Sequence, residues 1–105
     1  MRSHAQALLR ALAEPRRVAI LRLIRTRELA AGEIASRFKT TRPAISQHIR
    51  VLVKVGLVSE RRERTKRLYR LRPEGFNELR TFLDGFWDLR LDRLKSAIEA
   101  DDDNR

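Results

Sequence analysis

The stretch Thr40–Val58, TTRPAISQHIRVLVKVGLV, decides the fold, because it begins polar, turns apolar and carries a Ser-Gln-His triplet at residues 46 to 48 where a core helix would be expected to pack. The Thr41 hydroxyl is suited to accept a bond from a free amide of a first helical turn, and Pro43 is tolerated in that turn because its missing N–H has no partner there. Gly56 is placed to end the helix in a left-handed conformation. Winding the segment at about 100° per residue puts Ile45, Ile49, Leu52 and Val53 on one side and Pro43, Gln47, Arg50 and Lys54 on the other. The triplet therefore splits. Gln47 points outward, where it can pair with an adenine edge, and Arg50 can reach guanine or a phosphate. Ser46, at one margin and near the helix start, can bond a base or backbone oxygen. His48, at the other margin, is read as a flank residue packed on Val51 or Val55 or bonded to a backbone group.

Upstream, Ala5, Leu8, Leu9 and Leu12 recur at helical spacing, and Glu14-Pro15 marks a second helix, since proline favours the first helical position. That helix carries Val18, Ile20, Leu21, Leu23 and Ile24 with Arg16, Arg17, Arg22 and Arg25 dispersed around it, and Leu21 and Ile24 are expected in the core. A connector containing Leu29 leads to AGEIASRF, a brief third helix with Ile34, Ala35 and Phe38 inward and a turn at Lys39-Thr40. Downstream, two strands are predicted at about Val58–Arg62 and Arg67–Leu71, with Glu63–Lys66 at the tip. Pro73-Glu74 opens a long final helix in which Phe76, Leu79, Leu83, Phe86, Trp87, Leu91, Leu94 and Ile98 recur at three- and four-residue steps. Residues 1–98 read as one domain and 99–105 as an acidic disordered tail.

Composition narrows the partner. Lys plus Arg is 24 against 14 Asp plus Glu, a net +10 over 105 residues. Residues 1–98 hold 23 basic and 10 acidic residues, so the folded part is more basic than the whole. Nucleic acid and an anionic membrane surface are the partners such a charge favours. The absence of cysteine excludes disulfides, thiolate metal sites and cysteine nucleophiles. With no apolar run near the ~20 residues of a membrane span and no signal-peptide pattern, a soluble cytoplasmic protein is expected, with no membrane partner.

Two short helices joined by a tight turn and followed by a basic hairpin follow the order of a winged helix-turn-helix, whose second helix enters the major groove. The fold class expected is mainly α with a small β-hairpin wing. Arg61, Arg62, Arg64, Lys66 and Arg67 lie within seven residues of that wing, relieved by Glu63 and Thr65. A charge run is usually a solvated face. Here it lies where a wing would follow the phosphates, and Arg62, Arg64 and Lys66 are favoured for phosphate or minor-groove contact. Thr41, Arg42, Ser46, Gln47 and Arg50 are the residues expected to touch the duplex.

In ALAEPRRVAILRLI (Ala11–Ile24), GEIASRF (Gly32–Phe38), the block from Thr40 to Leu71 and FLDGFWDLRLDRL (Phe82–Leu94), the chain resembles the ArsR family of bacterial winged-helix repressors. The resemblance implies about five helices, a homodimer through the first and last of them, and repression by occupying an operator that overlaps a promoter. Leu8, Leu9, Leu12, Leu83, Phe86, Trp87, Leu91 and Leu94 are the interface residues this implies, in keeping with an apolar final helix too large for a small monomer to cover. Many members sense metals through a cysteine pair in the third helix or carboxylate-histidine sets in the last. ELAAGEIA has no cysteine and the last helix no histidine, so neither metal sensing nor a cofactor is expected. Asp84, Asp88 and Asp92 align at four-residue spacing, but Arg80, Arg90, Arg93 and Lys95 surround them, which reads as an ion-pair stripe. FWDLRLDRLK further resembles a metal-free subgroup.

Enzyme classes lack their signatures: there is no glycine-rich phosphate loop, nucleophile elbow or histidine with a plausible partner set. The competing function is a winged helix that docks or dimerises without specific DNA readout, and the outward Arg50, Lys54 and basic wing argue against it. An RNA reading lacks stacking platforms, because Tyr69 is the only aromatic near the basic patch.

Overall fold

The computed structural model describes residues 4–87 and 89–103, with side chains for 4–87 and 93–100. Helix α1 (His4–Leu12) leads directly into α2 (Pro15–Leu23), which begins where Pro15 supplies the fixed φ of a first turn and the Glu14 carboxylate accepts from the Arg16 amide at 3.4 Å. Strand β1 is only Leu29–Ala30. It is followed at once by α3 (Ala31–Ala35), whose Glu33 carboxylate reaches back to the Ala30 amide at 3.0 Å, half of a capping box. The long α4 (Arg42–Lys54) starts as expected: Thr41 is its N-cap, accepting from the Ala44 amide at 3.2 Å. It also ends as expected, with Gly56 at φ +86°.

Strands β2 (Val58–Glu63) and β3 (Lys66–Leu71) form an antiparallel hairpin from Val58↔Leu71 to Glu63↔Lys66. Each is longer at the tip than the sequence predicts, leaving Arg64-Thr65 as a two-residue loop with Arg64 at φ +59°. The connector around Leu29 is not loop throughout, because β1 pairs with β3 (Leu29↔Tyr69, Ala30↔Leu68) and makes a three-stranded sheet of order β1-β3-β2. Pro73 begins a 3-10 turn (Pro73–Phe76) rather than the final helix. The expected last helix is described in two stretches on either side of residue 88, α5 (Asn77–Trp87) and α6 (Leu89–Asp103), and it runs past Ile98 to Asp103.

The core joins every element from α1 to α5: Leu8, Ile20, Ile24, Ile34, Ile45, Leu52 and Leu57 are fully buried, and Ile49 and Leu79 nearly so. The end of the sheet is anchored to it through the Leu71 amide on the Ile24 carbonyl (2.9 Å) and the Arg72 amide on the Leu57 carbonyl (2.8 Å). The radius of gyration is 18.9 Å, against about 13 Å for a compact chain of this length. The described α6 side chains, Leu94 and Ile98 among them, are exposed, so the excess extent lies in a helix that leaves the core.

Candidate nucleic-acid interface

On α4 the two faces separate as the angular reading requires. Ile45, Ile49 and Leu52 are buried and Val53 is packed against them, while Pro43, Gln47, Arg50 and Lys54 are exposed. Ser46 is half-buried on the margin that turns to the wing. There an open groove of about 740 Å³ runs between the start of α3, α4 and β3, and it brings Arg42, Ser46 and Arg50 together with Lys66, Arg67 and Tyr69. The Arg42 guanidinium lies over Gly32, within 3.7 Å of where a β-carbon would stand. Gln47, Thr41, Arg61, Arg62 and Arg64 do not line this groove; they are exposed on the helix and the wing around it.

The wing cations divide by strand register. Arg62 and Arg67 face one another across β2 and β3 on the face that carries Glu60 and Tyr69. Like charges directly opposite on a sheet repel, and here the Glu60 carboxylate, 3.3 Å from the Arg67 guanidinium, offsets the repulsion. Arg61 is on the other face, held by Glu28 at 2.6 Å and by Glu63 at 3.5 Å. The hydrogen bond from Arg61 holds the Glu28 carboxyl below its ordinary range and raises Arg61 in turn. Among the described residues, Arg62, Arg64 and Lys66 have no carboxylate within ion-pair distance. Five wing cations are thus three free ones and two engaged ones. Burial, and then the Glu60 charge, push the Tyr69 phenol up from its ordinary value.

His48 is half-buried at its margin, and its ring is hydrogen-bonded not to a backbone group but to the Arg17 guanidinium, 3.3 Å from Nδ1. Sequence reasoning also passed over Glu33, Glu60 and Tyr69 as groove residues. The period-two alternation of β3 could have placed Tyr69 with Arg67 on one face.

Outside the groove, Leu9, Phe86, Trp87, Leu94 and Ile98 are exposed; Phe86 is 69% exposed and Trp87 50%. Leu12 and Leu83 are half-buried against the core. Leu8 is fully buried in its own chain, where α1 packs on α5, and so is no interface residue. The Leu91 side chain, with those of Asp88 and Asp92, lies outside the described residues. Among the described residues no group of three carboxylates or histidines is placed to hold a metal, and no helix is long and apolar enough to cross a membrane.

A capped helix that presents a polar face beyond a two-helix unit, followed by a cationic hairpin, defines a winged helix-turn-helix, a class that reads double-stranded DNA. The chain belongs to the arsR family of bacterial regulatory proteins, whose profile matches residues 14–60. It is 40% identical over 94 residues to the HTH-type transcriptional regulator Rv2034 of Mycobacterium tuberculosis, covering 90% of this chain and 88% of that one. A crystal structure of a possible transcriptional regulator for arsenical resistance superposes with a TM-score of 0.69 at 42% identity, over 85% of this chain and 93% of the other. The homodimeric winged helix-turn-helix DNA-binding domain of Mb0332 from Mycobacterium bovis, solved by NMR, does so with a TM-score of 0.65 at 30% identity, over 81% and 79%. The chain is accordingly a DNA-binding transcriptional regulator.

Proposed function

We propose that the chain acts as a homodimeric repressor that occupies an inverted-repeat operator, with α4 of each protomer in a major groove and the wing on the flanking phosphates. The observation that carries this reading is the pairing of an exposed Gln47-Arg50 face on α4 with wing cations, Arg62, Arg64 and Lys66, that no carboxylate among the described residues neutralises. Thr41 and Arg42 at the helix start complete the contact surface, and Arg61 and Arg67 join it if phosphate displaces their carboxylate partners. The exposed apolar residues of α1, α5 and α6 form the seam, which places half-sites about one helical turn apart. Occupancy of such a site over a promoter excludes polymerase, and it requires neither metal nor cofactor.

Selection of bound duplexes from random DNA, followed by titration of two variants, tests the reading. Gln47→Ala relaxes base preference at one position per half-site and costs about 1–3 kcal/mol on the selected sequence, whereas Arg64→Ala weakens every sequence alike and lowers the salt slope by about 1. Equal losses from both variants on selected and random DNA would refute the division between base-reading helix and phosphate-binding wing.

A further inference from the structure

Arg17 has three partners, none of them a carboxylate. Its Nε donates to the Ala11 carbonyl at 2.7 Å, its Nη2 to the Arg10 carbonyl at 3.3 Å, and its Nη1 to His48 Nδ1 at 3.3 Å. The two carbonyls belong to the last turn of α1, where a cation meets the negative end of the helix dipole; the Arg10 carbonyl also accepts from the Ala13 amide at 3.2 Å. The third partner lies on α4, 31 residues along the chain. For Nδ1 to accept, the imidazole must be neutral with its proton on Nε2. One half-buried guanidinium therefore ties the end of α1 to the middle of α4.

A second tie stands at the far end of the same pair of helices: His4 Nε2, at the start of α1, is 3.0 Å from the Val55 carbonyl at the end of α4. The chain has two histidines, and each makes one of these links. The main apolar contacts of the two helices run to other elements, although Leu8 and Ala11 of α1 share the buried core with Ile45, Ile49 and Leu52 of α4. The body of α1 lies on α2 and α5, and that of α4 on α2, α3 and β2. The angle between α1 and α4 is thus set in part by polar contacts whose geometry is directional, beside the shared core and α2.

We propose that Arg17 is a positioning residue whose fork fixes α4 against α1, so that the Arg17–His48 contact sets the half-site spacing the dimer accepts. This rests on the reading above that the dimer forms through α1 and the helices after the wing. In such a dimer the two α4 helices must reach grooves a helical turn apart, and a tilt of α4 on α1 changes their separation twice over, once in each protomer. Arg17 touches no DNA in this scheme; loosening it leaves each half-site readable and blurs the distance between them.

The test uses the purified full chain and the duplex selected from random DNA, remade with the centre of the repeat shortened or lengthened by about two base pairs. The wild type should discriminate against the altered spacings by about tenfold or more. Arg17→Ala and His48→Phe should each bring that ratio within about threefold while leaving the salt slope and the affinity for a duplex bearing one half-site unchanged. The double variant should lose no more than Arg17→Ala alone, because His48→Phe removes a contact that Arg17→Ala already removes. Arg17→Lys should fail to restore discrimination, since a single ammonium cannot span all three acceptors. If Arg17→Ala does not fold, His48→Phe, which leaves the α1 carbonyls capped, decides the matter alone. Retained spacing discrimination in both His48→Phe and a folded Arg17 variant would overturn the proposal, as would a fall in the salt slope. A wild type that selects no repeat at all would instead overturn the inverted-repeat reading beneath it.

Discussion

Gly75, in the 3-10 turn before α5, is where one added carbon should do the most damage for its size. A β-carbon there would fall on the Gly56 carbonyl oxygen well inside contact distance, and within 2.9 Å of the Gly56 carbonyl carbon and 3.3 Å of the Leu57 Cα. All three obstacles are backbone, so no side chain can swing aside. The same carbonyl accepts from the Arg72 guanidinium at 3.2 Å, and the Gly75 amide donates to the Arg72 carbonyl at 3.0 Å. Moving the turn outward therefore strains both bonds as well as the step from α4 into β2. Overpacking against a rigid neighbour costs about 1–3 kcal/mol, and the immobility of these atoms argues for the upper end. For a domain of this size about 3 kcal/mol corresponds to a melting point lower by roughly 12–24 °C. Thermal unfolding of Gly75→Ala by circular dichroism, at the wild type's protein concentration, measures it. A melting point within about 3 °C of wild type would show that the turn and the end of α4 are not in the close contact from which the argument starts.

Removal of the N-cap of α4 by Thr41→Ala should cost about 1 kcal/mol, seen as a melting point lower by roughly 4–8 °C without DNA; an unchanged value would mean water serves the Ala44 amide as well. Charge placed on the exposed aromatic pair, as Phe86→Glu with Trp87→Glu, should yield a folded monomer in sedimentation experiments and abolish tight operator binding, and a persistent dimer would move the seam elsewhere. The Glu28–Arg61 pair predicts a pH dependence: because Glu28 is held low in the folded chain, its contribution is present above its unfolded pKa and is lost as pH falls through the depressed folded value. The stability gap between wild type and Glu28→Gln should hold at neutral pH and close in acid below the ordinary carboxylate range. A gap that survives there would assign it to packing.

What could be read from the chain was what is encoded locally and repeatedly. In α4 the cap, the proline, the period and the terminal glycine all agree, and burial follows them residue by residue. Strand β1 was illegible because two residues carry no period; Leu29 and Ala30 become strand only when β3 arrives forty residues later to pair with them. Leu8 went to the wrong surface because one helical turn offers two apolar residues, Leu8 and Leu9, and only the packing of α1 on α5 says which is covered. Arg17 looked like one of several arginines scattered around α2. Nothing in its neighbours announces that the α1 carbonyls and a histidine of α4 converge on it, for that is a property of three helices together.

The wing makes the same point about charge. Its five cations within seven residues read as one uniform patch, yet the fold sorts them with carboxylates drawn from three places: Glu28 before β1, and Glu60 and Glu63 on β2. Glu28 and Glu63 hold Arg61 on the sheet face away from Glu60, and Glu60 holds Arg67 beside Tyr69 at the groove. The free cations that remain, Arg62, Arg64 and Lys66, cluster at the tip, as far from the core as the hairpin reaches. An undivided patch would attract any polyanion along its whole length. Because a salt-dependent, sequence-blind affinity grows with each phosphate neutralised, restraining two of five cations would, on the proposed reading, lower the nonspecific background against which base contacts by Gln47 compete. Glu60 is thus more than an interruption in a basic run: it relieves the Arg62–Arg67 repulsion and holds Arg67 at 3.3 Å beside Tyr69 at the groove.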